Sequence, residues 1–201
     1  MSVTGTRAQA GEPRPMRADA KRNYARLLEA AAAAFAEHGA DDVSLEEIAR
    51  RAGVGIGTLY RHFPTRQALL EAVYTDQVES LSARAAELLR SESPGDALAE
   101  WLRAMVKFSS TKKSMTSALL ATLGTDSELL SSCVKQIKGA AESLLARAQQ
   151  VGVVRQDVQA GDVMRLVHAV NIATEKAPDP GQADRMLAVI LDGLRPQPGG
   201  S

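Results

Sequence analysis

Gly55 and Gly57 stand two residues apart in SLEEIARRAGVGIGTLYRHFPTRQALL (44–70), a stretch otherwise built for helix. Each glycine costs a helix about 1 kcal/mol relative to alanine. What a bare backbone gives in return is close approach by another molecule. Thr58, Tyr60, His62 and Arg66 follow directly, all groups that donate hydrogen bonds to phosphate oxygens or base edges. Enzyme chemistry has no comparable constellation. The histidines stand at 38, 62 and 168, without ligand spacing. There is no Gly-x-Ser-x-Gly elbow and no phosphate-binding glycine loop. The chain is therefore expected to be no enzyme, with no cofactor and no metal.

The whole-chain balance is neutral, with 24 Lys and Arg against 24 Asp and Glu. The distribution is not. Arg7, Arg14, Arg17, Lys21, Arg22 and Arg26 face only Glu12 and Asp19 near the amino terminus, a local basic arm suited to a polyanion. The single cysteine, Cys133, excludes an intrachain disulfide and fits a reducing cytoplasm. As a redox sensor it has only Lys135 in support. No signal peptide is visible, and no apolar run approaches the roughly 18 residues of a membrane span.

Alanine and leucine dominate, β-branched runs are few, and the fold class expected is all-α, with about nine helices. Residues 1–17 carry no apolar periodicity and read as a disordered basic arm. A helix near Ala20–Glu37 follows, with Tyr24, Leu27, Leu28, Ala31 and Phe35 as one stripe, closed by Gly39. Ser44 and Glu47 form a capping box that opens the next helix. Gly53 ends it with positive φ, and Val54 fills the turn. A short helix, about Gly55–Phe63, buries Leu59 and Phe63. Pro64 stops it, and Thr65 starts a long helix to about Arg90. Two short helices around a glycine turn make a helix-turn-helix.

LLEAAAAAFAEHG, VSLEEIARRAGV and GTLYRHFPTRQALL together resemble the DNA-binding domain of the TetR family of bacterial transcriptional regulators. The resemblance implies that the third helix is a recognition helix in the major groove, approached closely at Gly55 and Gly57. It implies base or backbone contacts from Thr58 and Tyr60, and phosphate contacts from Tyr60, His62, Ser44 and Arg66. Arg22 and the arm would reach a neighbouring backbone or minor groove. Where the family often has polar groups, this chain has Gly55 and Ile56. Ile56 cannot hydrogen-bond a base edge, but it can contact a thymine methyl.

Beyond residue 90, Ser93-Pro94 opens a helix bearing Leu98, Trp101, Leu102, Met105 and Phe108. Ser109–Lys113 reads as a polar break, followed by a short helix, Met115–Leu123, closed by Gly124. Thr125-x-x-Glu128 reads as a capping box for a long helix to about Gln150, ended by Gly152. Two last helices are expected at about Ala160–Glu175 and Asp179–Leu194, the latter opened by Asp179-Pro180-x-Gln182. The segments LLATLG and LLARAQQVGVVRQDV resemble the C-terminal domains of one subgroup of the same family.

The expected division is an arm (1–17), a DNA-binding domain (18–81, helix-turn-helix 44–63), a ligand-binding and dimerisation domain (82–195), and a disordered tail (196–201). The resemblance implies that the last two helices pair with their copies in a homodimer. The candidate stripes are Leu166, Val167 and Val170, and Met186, Leu187, Ile190, Leu191 and Leu194. Trp101, Met105, Phe108, Met115 and Leu119 are the expected wall of an effector pocket, with His168 and Asn171 pointing into it. The function expected is a ligand-responsive repressor that releases a palindromic DNA operator when a small molecule binds. The alternative is a small-molecule- or protein-binding module without sequence-specific DNA binding. No membrane partner is expected.

Overall fold

The computed structural model describes residues 14–124, 126–175, 179 and 181–196, with residues 14–17 and 110–114 described by backbone alone. Eight α-helices and no strand lie among the described residues: α1 (Arg14–His38), α2 (Leu45–Arg51), α3 (Ile56–His62), α4 (Arg66–Leu88), α5 (Pro94–Leu123), α6 (Glu128–Gln150), α7 (Ala160–Thr174) and α8 (Gln182–Gly193). The all-α class, with an N-terminal helix-turn-helix and a helical remainder, is as the sequence predicts.

The expected arm lies outside the described residues up to position 13. From Arg14 the backbone is already helical. Pro15 stands in the first turn, where its missing N–H has no partner to lose, so the helix starts upstream of Ala20. Inward, Leu27, Ala31 and Phe35 are buried, as is Ile48 of α2. Tyr24 is not part of that stripe: it is half-exposed and lies against the rings of His62 and Phe63, at 5.8 and 5.1 Å.

Ser44 caps α2, its Oγ accepting from the Glu47 N–H at 3.1 Å. Only this half of the box is seen, because the Glu47 carboxylate turns to Arg50 and Arg51 instead. Thr65 caps α4 in the same way, accepting from the Ala68 N–H at 3.0 Å. Gly39, Gly53, Gly124 and Gly152 all have positive φ; these are the four glycines expected to end elements.

α4 is the central rod, packed against α1, α5 and α6. Its buried side chains run from Leu69 and Leu70 through Val73, Tyr74, Val78 and Leu81 to Leu88. α5 corrects one expectation. Its backbone stays helical through Ser109–Lys113, so the two predicted pieces form one helix of 30 residues. That segment has neither Gly nor Pro, and polarity alone does not stop a helix.

At α6 the cap is Ser127, which accepts from the Leu130 N–H at 3.4 Å; Thr125 lies outside the described residues. α8 begins at Gln182 with Gly181 at its N-cap, later than Asp179 predicts. Asp179 accepts from the Gly181 N–H and pairs with Arg185 at 2.6 Å. Pro180 lies outside the described residues.

Candidate nucleic-acid interface

α3 is held by two anchors, Leu59 and Phe63, both essentially buried. With about 100° per residue, the rest of the helix is turned outward. Ile56 is 37% and Tyr60 45% exposed, while Thr58 and His62 are half-buried. Gly55 has φ −71° and ψ 148°, a conformation open to any residue. A Cβ built on Gly55 or Gly57 meets nothing within 4 Å. Nothing within the described fold therefore requires either glycine.

The expected polar contacts divide into free and engaged groups. The Ser44 hydroxyl is engaged as the α2 cap, but the residue lies at the surface. Arg22 is exposed and pairs with Asp19 one turn before it. The His62 ring leans on Tyr24 and Phe63.

Arg66 is placed differently from a phosphate contact. Its guanidinium donates to the Val43 carbonyl at 2.5 Å and to the Ala40 carbonyl, and lies 5.9 Å from the Phe35 ring centre. It staples the α1–α2 connection to the start of α4. A sequence cannot show this, because the acceptors are main-chain oxygens more than twenty residues away.

α2 carries its own charge network. Arg51 bridges Glu37 of α1 at 2.6 Å and Glu47 at 2.8 Å. These hydrogen bonds, joined at Glu47 by Arg50, hold the Glu37 and Glu47 carboxyls below the ordinary glutamate value and raise Arg51.

In the helical remainder, Trp101, Met105, Phe108, Met115 and Leu119 are all buried in the apolar core. The Trp101 indole N–H donates to the Leu81 carbonyl of α4 at 3.1 Å. Near by, burial raises the Tyr74 phenol to about 12, Cys133 adding to the rise and a hydrogen bond to Thr116 opposing it. Sequence reasoning missed this α4–α5–α6 cluster, since its members share no local pattern. Cys133 is buried and in no disulfide.

A cleft of about 1090 Å³ opens elsewhere, between the start of α5, the α6–α7 turn and the end of α8. Arg103, Arg147 and Arg195 line it with Asp96, Asp192 and several valines and leucines, and none of the seven expected ligand residues does.

α7 also turns otherwise than its sequence stripe suggests. Val163, Val167 and Val170 are the buried face, which puts Leu166 and His168 on the outside. His168 thus does not point inward. Asn171 is half-buried; its side-chain amide donates to the Val167 carbonyl at 3.0 Å. Of the expected dimer residues, Val167, Val170, Leu187 and Leu194 pack within the chain, and Met186, Ile190 and Leu191 are half-buried against the same core. The large apolar side chains left outside on these helices are Leu166, Ile172 and Val189, at 48, 62 and 73% exposure.

Among the described residues, no group of three or more His, Cys, Asp or Glu could hold a metal ion. No described helix is long and apolar enough to cross a membrane.

Comparison with known proteins gives the frame for this geometry. Residues 27–73 match the family of bacterial regulatory proteins named tetR, and residues 93–196 match the C-terminal domain of SbtR-like transcriptional regulators. A TetR transcriptional regulator from Streptomyces coelicolor is 34% identical, with TM-score 0.78 over 87% of this chain and 99% of that one. A TetR regulatory protein from Mycobacterium vanbaalenii is 39% identical, with TM-score 0.73 over 90% and 100%. An HTH-type transcriptional regulator from Staphylococcus aureus (strain USA300) is 46% identical over 54 residues, 27% of this chain and 29% of that protein's length. The chain belongs to the TetR family of bacterial transcriptional regulators, DNA-binding proteins of the helix-turn-helix type.

Proposed function

We propose that the chain is a homodimeric repressor, acting in the cytoplasm, that binds a palindromic operator and releases it when a small molecule occupies its helical remainder. DNA would be met by residues 18–81, with Ile56, Thr58 and Tyr60 of α3 toward the bases and Ser44, His62 and Arg22 toward the backbone. Residues 82–195 would carry effector and dimer contacts.

The observation that carries this reading is α4. Its first turn is tied to the α1–α2 connection by Arg66. Its middle is tied to α5 by Tyr74 and Thr116, and its far half by the Trp101 bond to Leu81. The proposed boundary after residue 81 falls inside this helix. A ligand that shifts α5 or α6 against α4 thereby shifts the recognition helix. DNA favours one spacing of two recognition helices, the effector another, and each weakens the other's binding by the same factor.

Leu166, Ile172 and Val189 supply uncovered apolar surface on α7 and α8 for the second subunit. Two such subunits would read half-sites about one DNA turn apart.

Selection of genomic fragments by the purified protein, followed by binding at two salt concentrations, tests this. A tightly held palindrome is the expected result. Retention that is weak, sequence-blind and steeply salt-dependent would instead mark a binding module without an operator. With the operator in hand, metabolites of the neighbouring genes are the first effectors to titrate. If no saturating ligand altered operator affinity, the switch would be refuted.

A further inference from the structure

The arginines of the DNA-binding region are almost all committed within the fold. Arg22 pairs with Asp19, and Arg26 donates to the Asn23 side chain at 2.6 Å. Arg50 and Arg51 pair with Glu47 and Glu37, and Arg66 with two carbonyls. Arg61 is the exception: it is exposed, and among the described residues it has no ion pair or hydrogen bond.

Its place on α3 gives that freedom a direction. Leu59 lies two residues before it and Phe63 two after, both buried. At about 100° per residue each is turned roughly 160–200° away, so Arg61 stands on the meridian opposite the two anchors. Thr58 and Tyr60 lie to either side of that meridian, and both are less fully outward. One turn earlier the same side of the helix carries Gly57, where even a Cβ would have open space around it. The outermost line of the helix therefore has one long side chain and, beneath it, none.

We propose that Arg61 is a specificity-determining residue that reads a guanine in each operator half-site, donating two hydrogen bonds to its O6 and N7. This rests on the operator reading above. In a helix lying in the major groove, the meridian farthest from the protein core meets the groove floor, whereas phosphates are reached from the flanks. A planar guanidinium matches the paired acceptors that guanine alone presents there. Ile56, five residues earlier at the start of the same helix, is suited to a thymine methyl at another position of the half-site.

The test uses the full chain and duplexes selected by it. The expected site has a guanine whose exchange weakens wild-type binding about ten- to a hundredfold. Replacing that base with 7-deazaguanine, which lacks only the N7 acceptor, should weaken wild-type binding severalfold. This arm needs no change to the protein. Arg61→Ala should lose the preference at that position, become indifferent to 7-deazaguanine, and keep its preferences elsewhere.

Two results would overturn the inference while leaving the operator reading intact. One is that Arg61→Ala weakens every duplex alike and lowers the salt slope by about one ion, the mark of a phosphate contact. The other is that neither the variant nor the modified base changes binding. If the wild-type protein selects no site at all, the operator reading falls, and this inference with it.

Discussion

The helix-turn-helix region and the helical remainder bury their apolar side chains by the same rule, yet treat polar groups differently. Around α1–α3, polar side chains are paired at the surface: Ser44 with a free N–H, Arg51 with two carboxylates, Arg66 with two carbonyls. From α4 onward, four buried polar atoms lack a partner among the described residues: Gln77 Oε1, Ser82 Oγ, Arg147 Nε and Asn171 Oδ1. None of the four falls within α1–α3. An unmet buried group costs about 1–3 kcal/mol. The first region thus has no unmet buried polar atom among its described residues and presents its outward face to a partner. The second carries internal polar capacity that a water, a small molecule or another chain can meet.

The largest test of this contrast is at the joint between the regions. Trp101→Ala should cost about 3–5 kcal/mol, read as a lower urea midpoint, since it empties a fully buried site and removes the indole bond to the Leu81 carbonyl. A loss below about 1 kcal/mol would mean that α4 and α5 are not rigidly joined.

Arg66→Ala should cost less, about 1–3 kcal/mol, because two charge-assisted bonds from a half-buried side chain go. Any weakening of DNA binding should leave the salt slope unchanged. A slope reduced by about one would return Arg66 to the phosphate backbone.

Asn171→Leu sharpens the other side. It removes an unmet acceptor of similar volume, so stability should stay within about 1 kcal/mol of the parent or rise. A clear destabilisation in melting experiments would show that the Asn171 carbonyl has a partner after all.

The smallest effect concerns acid. Glu37 and Glu47 are held below the ordinary glutamate value of 4.5 by Arg51. Their contribution is full above that pH and is lost as pH falls through the lowered folded values. Arg51→Ala should therefore flatten the decline of stability below pH 4.5; an unchanged acid limb would remove the network from the account.

What was legible in the sequence follows the same contrast. Ser44, Gly53, Pro64 and Thr65 act within a few residues of themselves, so the helix-turn-helix could be read locally. Gly124 and Gly152 likewise end their helices where expected. The rest depended on partners distant in sequence. Leu166, Val167 and Val170 make a plausible stripe, but the face that α7 buries, Val163, Val167 and Val170, is chosen by its packing against α5, α6 and α8. That choice moved His168 outward. Ser109–Lys113 is polar enough to predict a break but contains no helix breaker, so the helix runs through it. The residues of the expected pocket wall are buried in the core, and a stripe of Trp, Met and Phe serves core and pocket alike, so the sequence does not separate the two. Arg66 could be recognised as important, but the carbonyls it binds could not.

The claim that the outward face of α3 is kept for DNA rather than for the fold is tested most directly by Gly57→Ala, measured for melting temperature and for operator affinity in parallel. The added methyl enters open space, so stability should be unchanged or raised by up to about 1 kcal/mol, while operator affinity falls tenfold or more. Unchanged affinity in the folded variant would contradict the claim, and the bare backbone at Gly57 would then need another reason.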